Sequence, residues 1–151
     1  MKKRPVIAII GGRKEANTLL KEAEEAGRLI AEGGAVLVSG GLSGVMESAS
    51  KGARSAGGLT VGILPQDDTL AANRYVDVAV ATGLGIGRNV IIARTADALI
   101  AIGGEYGTLS EMAFGLQLGK PVIGLRSWDI RGVVPAVDAV DAVAKALAAI
   151  Q

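Results

Sequence analysis

Three glycine-rich segments carry the residues with chemical potential: Gly11-Gly12-Arg13, Ser39-Gly40-Gly41-Leu42-Ser43-Gly44 and Gly103-Gly104-Glu105-Tyr106-Gly107-Thr108. Each follows a short apolar run and opens into a helical pattern. Backbone amides and the positive end of a helix dipole would then converge on one point, as a phosphate needs. Any one such turn can equally be a place where small residues let strand and helix pack closely. Three at separate strand ends point to a nucleotide or a sugar phosphate. Around them stand the polar candidates. Glu111, one turn into the helix behind Thr108 and about 5 Å further along by helix rise, could stabilise a developing positive charge on a sugar or orient water. Its plain alternative is to complement the helix dipole. Arg88 could pair with a phosphate or with Glu111, and Asn89 could reach a base or a hydroxyl. Glu47, in the first turn behind Gly44-Val45-Met46, is either a substrate contact or a dipole partner. Tyr106 could stack on a base or pack its own loop.

Much chemistry is excluded. The chain has no Cys and no His, which removes disulfides, thiol nucleophiles, Cys/His zinc or haem sites and every Ser-His arrangement; no metal site is expected. Residues 11–16 lack Gly-x-Gly-x-x-Gly, and no Gly-Lys-Ser/Thr closes a phosphate loop, so a generic dehydrogenase or ATPase is disfavoured. Lys120, followed by Pro121, reads as a charge at a helix C-terminus and not as a Schiff-base lysine.

The elements that must position these residues follow from hydrophobic patterning. With 151 residues, 50% hydrophobic but only 3% aromatic, the chain is read as one domain, 1–151, whose core is built from Ala and branched side chains. The apolar runs Val6 to Ile10, Ala35 to Ser39, Leu59 to Leu64, Val76 to Thr82, Ala98 to Ile102 and Pro121 to Leu125 do not alternate with polar residues, as strands buried on both faces require. Helical spacing appears from Ala16 to Ile30, Val45 to Ala56, Gly87 to Ala96, Thr108 to Leu118 and Pro135 to Ile150. Alternating strands and helices give an α/β class, a Rossmann-like doubly wound and mainly parallel sheet with helices on both faces. Ligands of such folds sit outside the carboxyl ends of the strands, where strand order reverses. The stretch from Pro65 to Arg74 is polar and turn-rich, and a mobile loop beside that site is expected there.

Charge is nearly balanced, 16 Lys and Arg against 15 Asp and Glu, so neither nucleic acid nor a membrane surface is an expected partner. Scarce aromatics also speak against stacking single-stranded bases. The basic start, Met1 to Arg4, precedes an apolar run too short for a signal-peptide core or a membrane span, and a cytoplasmic protein is expected.

Taken together, Ser39-Gly40-Gly41-Leu42-Ser43-Gly44-Val45-Met46-Glu47, Gly87-Arg88-Asn89 and Gly103-Gly104-Glu105-Tyr106-Gly107-Thr108-Leu109-Ser110-Glu111 resemble the LOG-like superfamily over about Val6 to Leu125. That group holds nucleoside 5′-monophosphate phosphoribohydrolases, molybdenum cofactor carrier proteins and DNA-processing protein A. Among its branches the chain looks most like a small bacterial group close to the cofactor carriers. The resemblance implies that Gly107-Thr108 takes a 5′-phosphate, that Glu111 acts on the ribose and that Arg88 assists it. The chain departs from the hydrolase pattern at Gly103, which stands for Pro, at Glu105, which stands for Gly, and at Asn89, which stands for Lys. A carboxylate at 105 would repel an anion unless Arg88 or a metal offset it.

Two functions follow. One is a nucleoside monophosphate hydrolase that releases base and ribose 5-phosphate and requires no cofactor. The other is a non-catalytic carrier or sensor of the molybdenum cofactor or another phosphorylated ligand. Both use the same phosphate-binding candidates: Gly11, Gly12, Gly40, Gly41, Ser43, Gly44, Val45, Met46, Glu47, Asn89, Gly104, Glu105, Tyr106, Gly107 and Thr108. A homo-oligomer, dimer or tetramer, is expected from the resemblance and from the Ala- and Val-rich helices.

Overall fold

A computed structural model describes residues 3–151; Met1 and Lys2 of the basic start lie outside the described residues. Seven strands form one sheet: β1 (Val6–Gly11), β2 (Val36–Ser39), β3 (Thr60–Leu64), β4 (Val78–Ala81), β5 (Ala98–Ile102), β6 (Val122–Leu125) and β7 (Val134–Pro135). The helices are α1 (Asn17–Glu32), α2 (Val45–Ser55), α3 (Arg88–Thr95), α4 (Tyr106–Gln117) and α5 (Ala139–Ala149). The strand order is β4-β3-β2-β1-β5-β6-β7 and every pair is parallel. Order therefore reverses between β1 and β5, where Gly11 pairs with Ile102 and both Gly-rich turns emerge side by side.

Two cores explain the uniform apolarity of the inner strands; the run from Val76 to Thr82 is the exception, because β4 lies at the sheet edge with Val78 47% and Val80 41% exposed and is not buried on both faces. Ile7 and Ile9 of β1 face a layer made by Ala23, Ala26 and Ile30 of α1, Ala49 and Ala53 of α2 and Ala142 and Ala146 of α5. Ala8 and Ile10 face the opposite layer, with Ile92 of α3 and Met112 of α4. Successive residues of a strand point to opposite faces, so burial on both sides demands an unbroken apolar run. Small side chains let α1 and α2 come very close. A Cβ on Gly27 would lie 1.9 Å from the Ala49 carbonyl oxygen, and one on Gly52 would lie 1.8 Å from that of Glu24. Only glycine fits either position.

Boundaries shift where local chemistry intervenes. The final helix starts at Ala139 and not at Pro135, because Asp138 takes an extended conformation and caps it, its side chain accepting from the Asp141 N–H at 2.8 Å. Pro135 belongs instead to β7, a two-residue strand at the sheet edge that no apolar run announces. α4 starts two residues before Thr108, with Glu105 extended at its N-cap. The Lys120 ammonium donates to the carbonyls of Ala96 (2.6 Å) and Arg94 (3.3 Å), so it closes the end of α3 and not of its own helix. The loop beyond Pro65 is tied down: the Asn73 N–H donates to Gly41 O at 2.9 Å and its side-chain amide to Leu42 O at 2.8 Å. No helix among the described residues is long and apolar enough to cross a membrane.

Candidate functional site

A cleft of about 750 Å³ opens at the carboxyl ends of β1 and β5, at the reversal of strand order. Four turns contribute to it. The β1 end supplies Gly11 and Gly12, the β2 end supplies Ser43 and Met46, the start of α3 supplies Arg88 and Asn89, and α4 with its N-cap supplies Glu105, Gly107, Thr108 and Glu111. These turns are interlocked. The Val45 N–H donates to Gly12 O at 3.0 Å, and Gly44 has φ of +70°, where a Cβ would strike that same oxygen at 2.3 Å. A side chain at 44 would push the first and second Gly-rich turns apart.

Arg88 is buried, 8% exposed, and firmly held. Its Nε donates to Ile63 O at 2.8 Å, one terminal nitrogen reaches Gly40 O at 3.5 Å, and the other donates to the Asn89 side-chain oxygen. Glycine at 40 makes room for this, since a Cβ there would lie 2.6 Å from the guanidinium. Of five guanidinium donors, two remain without a protein partner among the described residues. Asn89 in turn donates to Ser110 Oγ at 3.0 Å, and Ser110 Oγ donates to Gly107 O at 2.6 Å. A continuous hydrogen-bonded chain thus ties the start of α3 to the first turn of α4.

Glu111 lies on α4 and is 7% exposed. Burial pushes its carboxyl up to about 8, and the attraction of Arg88 offsets only part of that. Burial likewise pushes Arg88 down from the usual arginine value, with Glu111 pulling it back up and Arg13 adding to the lowering; an arginine remains a cation throughout. The cleft therefore holds a fixed guanidinium together with a buried carboxyl whose pKa burial raises.

Other candidates stand outside the cleft and act on its frame. Gly41, with φ of +76°, packs against Leu64, and its N–H donates to Ser39 Oγ at 3.1 Å. Val45 is fully buried against Gly11. Gly44 and Glu47 border a second groove of about 530 Å³ on the far side of Arg13 and Lys14, with Lys51 and Arg74. The Gly104 N–H is taken by the Glu15 carboxylate at 2.8 Å. Tyr106 is 78% exposed and stacks on Trp128 with ring centroids 6.0 Å apart, while the Trp128 indole donates to Glu105 O at 3.1 Å.

Arg13 and Leu42 of the Gly-rich segments and Pro65 of the adjoining loop also line the cleft, together with Lys14 and Ile86, which the sequence did not single out. Lys14 follows the glycine pair and Arg13 at the end of β1, and the rule that ligands gather at strand ends is the signal that would have found it.

Similar proteins agree with this architecture. An uncharacterized protein of Archaeoglobus fulgidus is 48% identical over 120 residues, covering 80% of this chain and 79% of its own. The molybdenum cofactor binding protein from the phototrophic bacterium Rippkaea orientalis superposes with a TM-score of 0.94 at 38% identity over 100% of both chains. The molybdenum cofactor carrier protein of Chlamydomonas reinhardtii superposes with a TM-score of 0.90 at 37% identity, over 98% of this chain and 99% of that one. The profile of the SLOG cluster4 family matches residues 4–148, and the chain belongs to that family.

Proposed function

We propose that this chain binds and carries, without hydrolysing it, a nitrogen heterocycle bearing one phosphate, with the molybdenum cofactor as the first candidate. The observation that carries this reading is the setting of Glu111, which lies in the cleft and is 7% exposed. Burial raises its carboxyl above the usual range and so favours the protonated form as a hydrogen-bonding group. It can both donate and accept hydrogen bonds, which suits the polar edge of a pterin or purine. The phosphate would take the N–H groups at the start of α4, around Gly107 and Thr108, with the unused donors of Arg88 and the charges of Arg13 and Lys14 nearby. The donor set fits that cargo through its organic part: a chain without Cys offers molybdenum no thiolate and leaves it to the pterin's own dithiolate. The likeness to the Rippkaea and Chlamydomonas proteins over the full chain supports the choice of cargo.

One arrangement favours the hydrolase as a second reading: Glu111, Arg88 and Gly107-Thr108 line one cleft, as the phosphoribohydrolase motif would require. The two readings part in a single experiment. Protein is loaded anaerobically with cofactor released from a molybdoenzyme, desalted, and assayed for retained molybdenum and pterin fluorescence. In parallel it is incubated with nucleoside 5′-monophosphates and the products are chromatographed. Stoichiometric retention without free base is the expected result. Base release that disappears in Glu111→Gln would replace the carrier by a hydrolase. The reading also includes a homo-oligomer, which sedimentation velocity tests directly.

A further inference from the structure

We infer that Glu15 is a specificity-determining residue: its carboxylate fills the glycine pocket at the strand-order reversal and confines the cleft to ligands with a single phosphate. This rests on the phosphorylated-ligand reading above. The turn after β5 runs through Gly103 and Gly104 at φ of +58° and +100°, a backbone path that glycine alone takes without strain. It leaves the Gly104 N–H pointing into the crevice between the ends of β1 and β5. Glu15, 89 residues away in sequence, accepts that N–H through Oε1 at 2.8 Å. The fit is close on every side. A Cβ on Gly103 would lie 2.7 to 2.9 Å from the carboxylate atoms, and one on Gly12 would lie 2.3 Å from Oε1. Glycines 12, 103 and 104 thus surround a space that the protein's own anion occupies.

In dinucleotide-binding sheets this crevice takes the pyrophosphate. Here it adjoins the first turn of α4, because a Cβ on Gly104 would lie 2.2 Å from Thr108 Oγ1. Glu15 borders the second groove and reaches the edge of the cleft only at Gly12 and Gly104, so a phosphate seated at Gly107 and Thr108 is clear of it, whereas a second phosphate extending past Gly104 towards the end of β1 would meet its carboxylate. Two anions in contact in a partly desolvated crevice repel strongly, so a diphosphate is rejected at the point where a monophosphate is accepted.

The test uses inorganic phosphate and pyrophosphate, which pose the question without any heterocycle. Binding of each to the full chain is followed by ³¹P line broadening for wild type, Glu15→Ala and Glu15→Gln, with circular dichroism confirming the fold of each. Wild type should prefer phosphate to pyrophosphate. Glu15→Ala should shift that ratio at least tenfold towards pyrophosphate, and Glu15→Gln, which keeps the volume but loses the charge, should shift it less. A merely structural Glu15 would weaken both anions alike. An unchanged ratio in Glu15→Ala, or a wild type that prefers pyrophosphate, overturns the role of Glu15 and leaves the phosphate site standing. If neither anion binds any of the three proteins, the phosphate reading itself falls, and the inference with it.

Discussion

Replacing Glu111 by Gln should make the protein increasingly more stable than wild type as pH rises from about 5 to about 8, and leave it unchanged below 4.5. The unfolded chain releases this proton near 4.5 and the folded chain near 8. Between those values the folded state holds the extra proton, so the contribution of Glu111 is fully present below 4.5 and is lost as pH rises towards 8. At about 1.36 kcal/mol per unit of pKa, the whole interval amounts to on the order of 5 kcal/mol. Gln keeps the shape and cannot ionise. The stability gap between variant and wild type should therefore be small at pH 5, widen through pH 6 and 7, and flatten above about 8. Urea unfolding of both proteins at fixed ionic strength across that range measures the gap directly, and titrations common to both cancel in the difference. Parallel curves for the two proteins would refute the argument, since they would mean that Glu111 is already ionised and balanced by Arg88.

Three further outcomes follow from the same geometry. Arg88→Met removes the cation that pulls Glu111 down, so carboxyl NMR should place the Glu111 midpoint above that of wild type; the unpartnered Ile63 carbonyl should cost about 1–3 kcal/mol in denaturant titrations. Gly27→Ala forces a methyl to within 1.9 Å of the Ala49 carbonyl oxygen, and should lower stability by about 1–3 kcal/mol or more, read as a fall in Tm. Asp138→Ala deletes the cap that accepts from the Asp141 N–H; it should cost about 1 kcal/mol and leave ligand binding unchanged.

The sheet was legible because burial on both faces writes itself as apolar runs, and Ala98–Ile102 coincides with its run residue for residue. β7 was not, because a two-residue edge strand containing Pro135, exposed at both positions, has no hydrophobic pattern to show. The cleft was legible in part, since Gly-rich turns at strand ends bring Gly11, Ser43, Arg88 and Thr108 to one place. Sequence does not reveal which neighbours claim the turn amides. Glu15 reads as one more charge before α1, and only the fold shows it reaching across to Gly104. The pairing of Tyr106 with Trp128 is likewise tertiary, joining the first turn of α4 to the segment after β6. Gly40 and Gly44 stand among the phosphate-binding candidates, and the structure gives each a packing role: one makes room for Arg88 and the other holds two loops together. A glycine needed for close packing and a glycine needed by a ligand look the same in sequence.

The position of the phosphate tests the account most directly. A crystal structure of the protein loaded with the molybdenum cofactor should place the phosphate oxygens within hydrogen-bonding distance of the Gly107 and Thr108 N–H groups, with the pterin edge against Glu111. A phosphate found instead in the second groove, between Lys51 and Arg74, with the ring remote from Glu111, would contradict it.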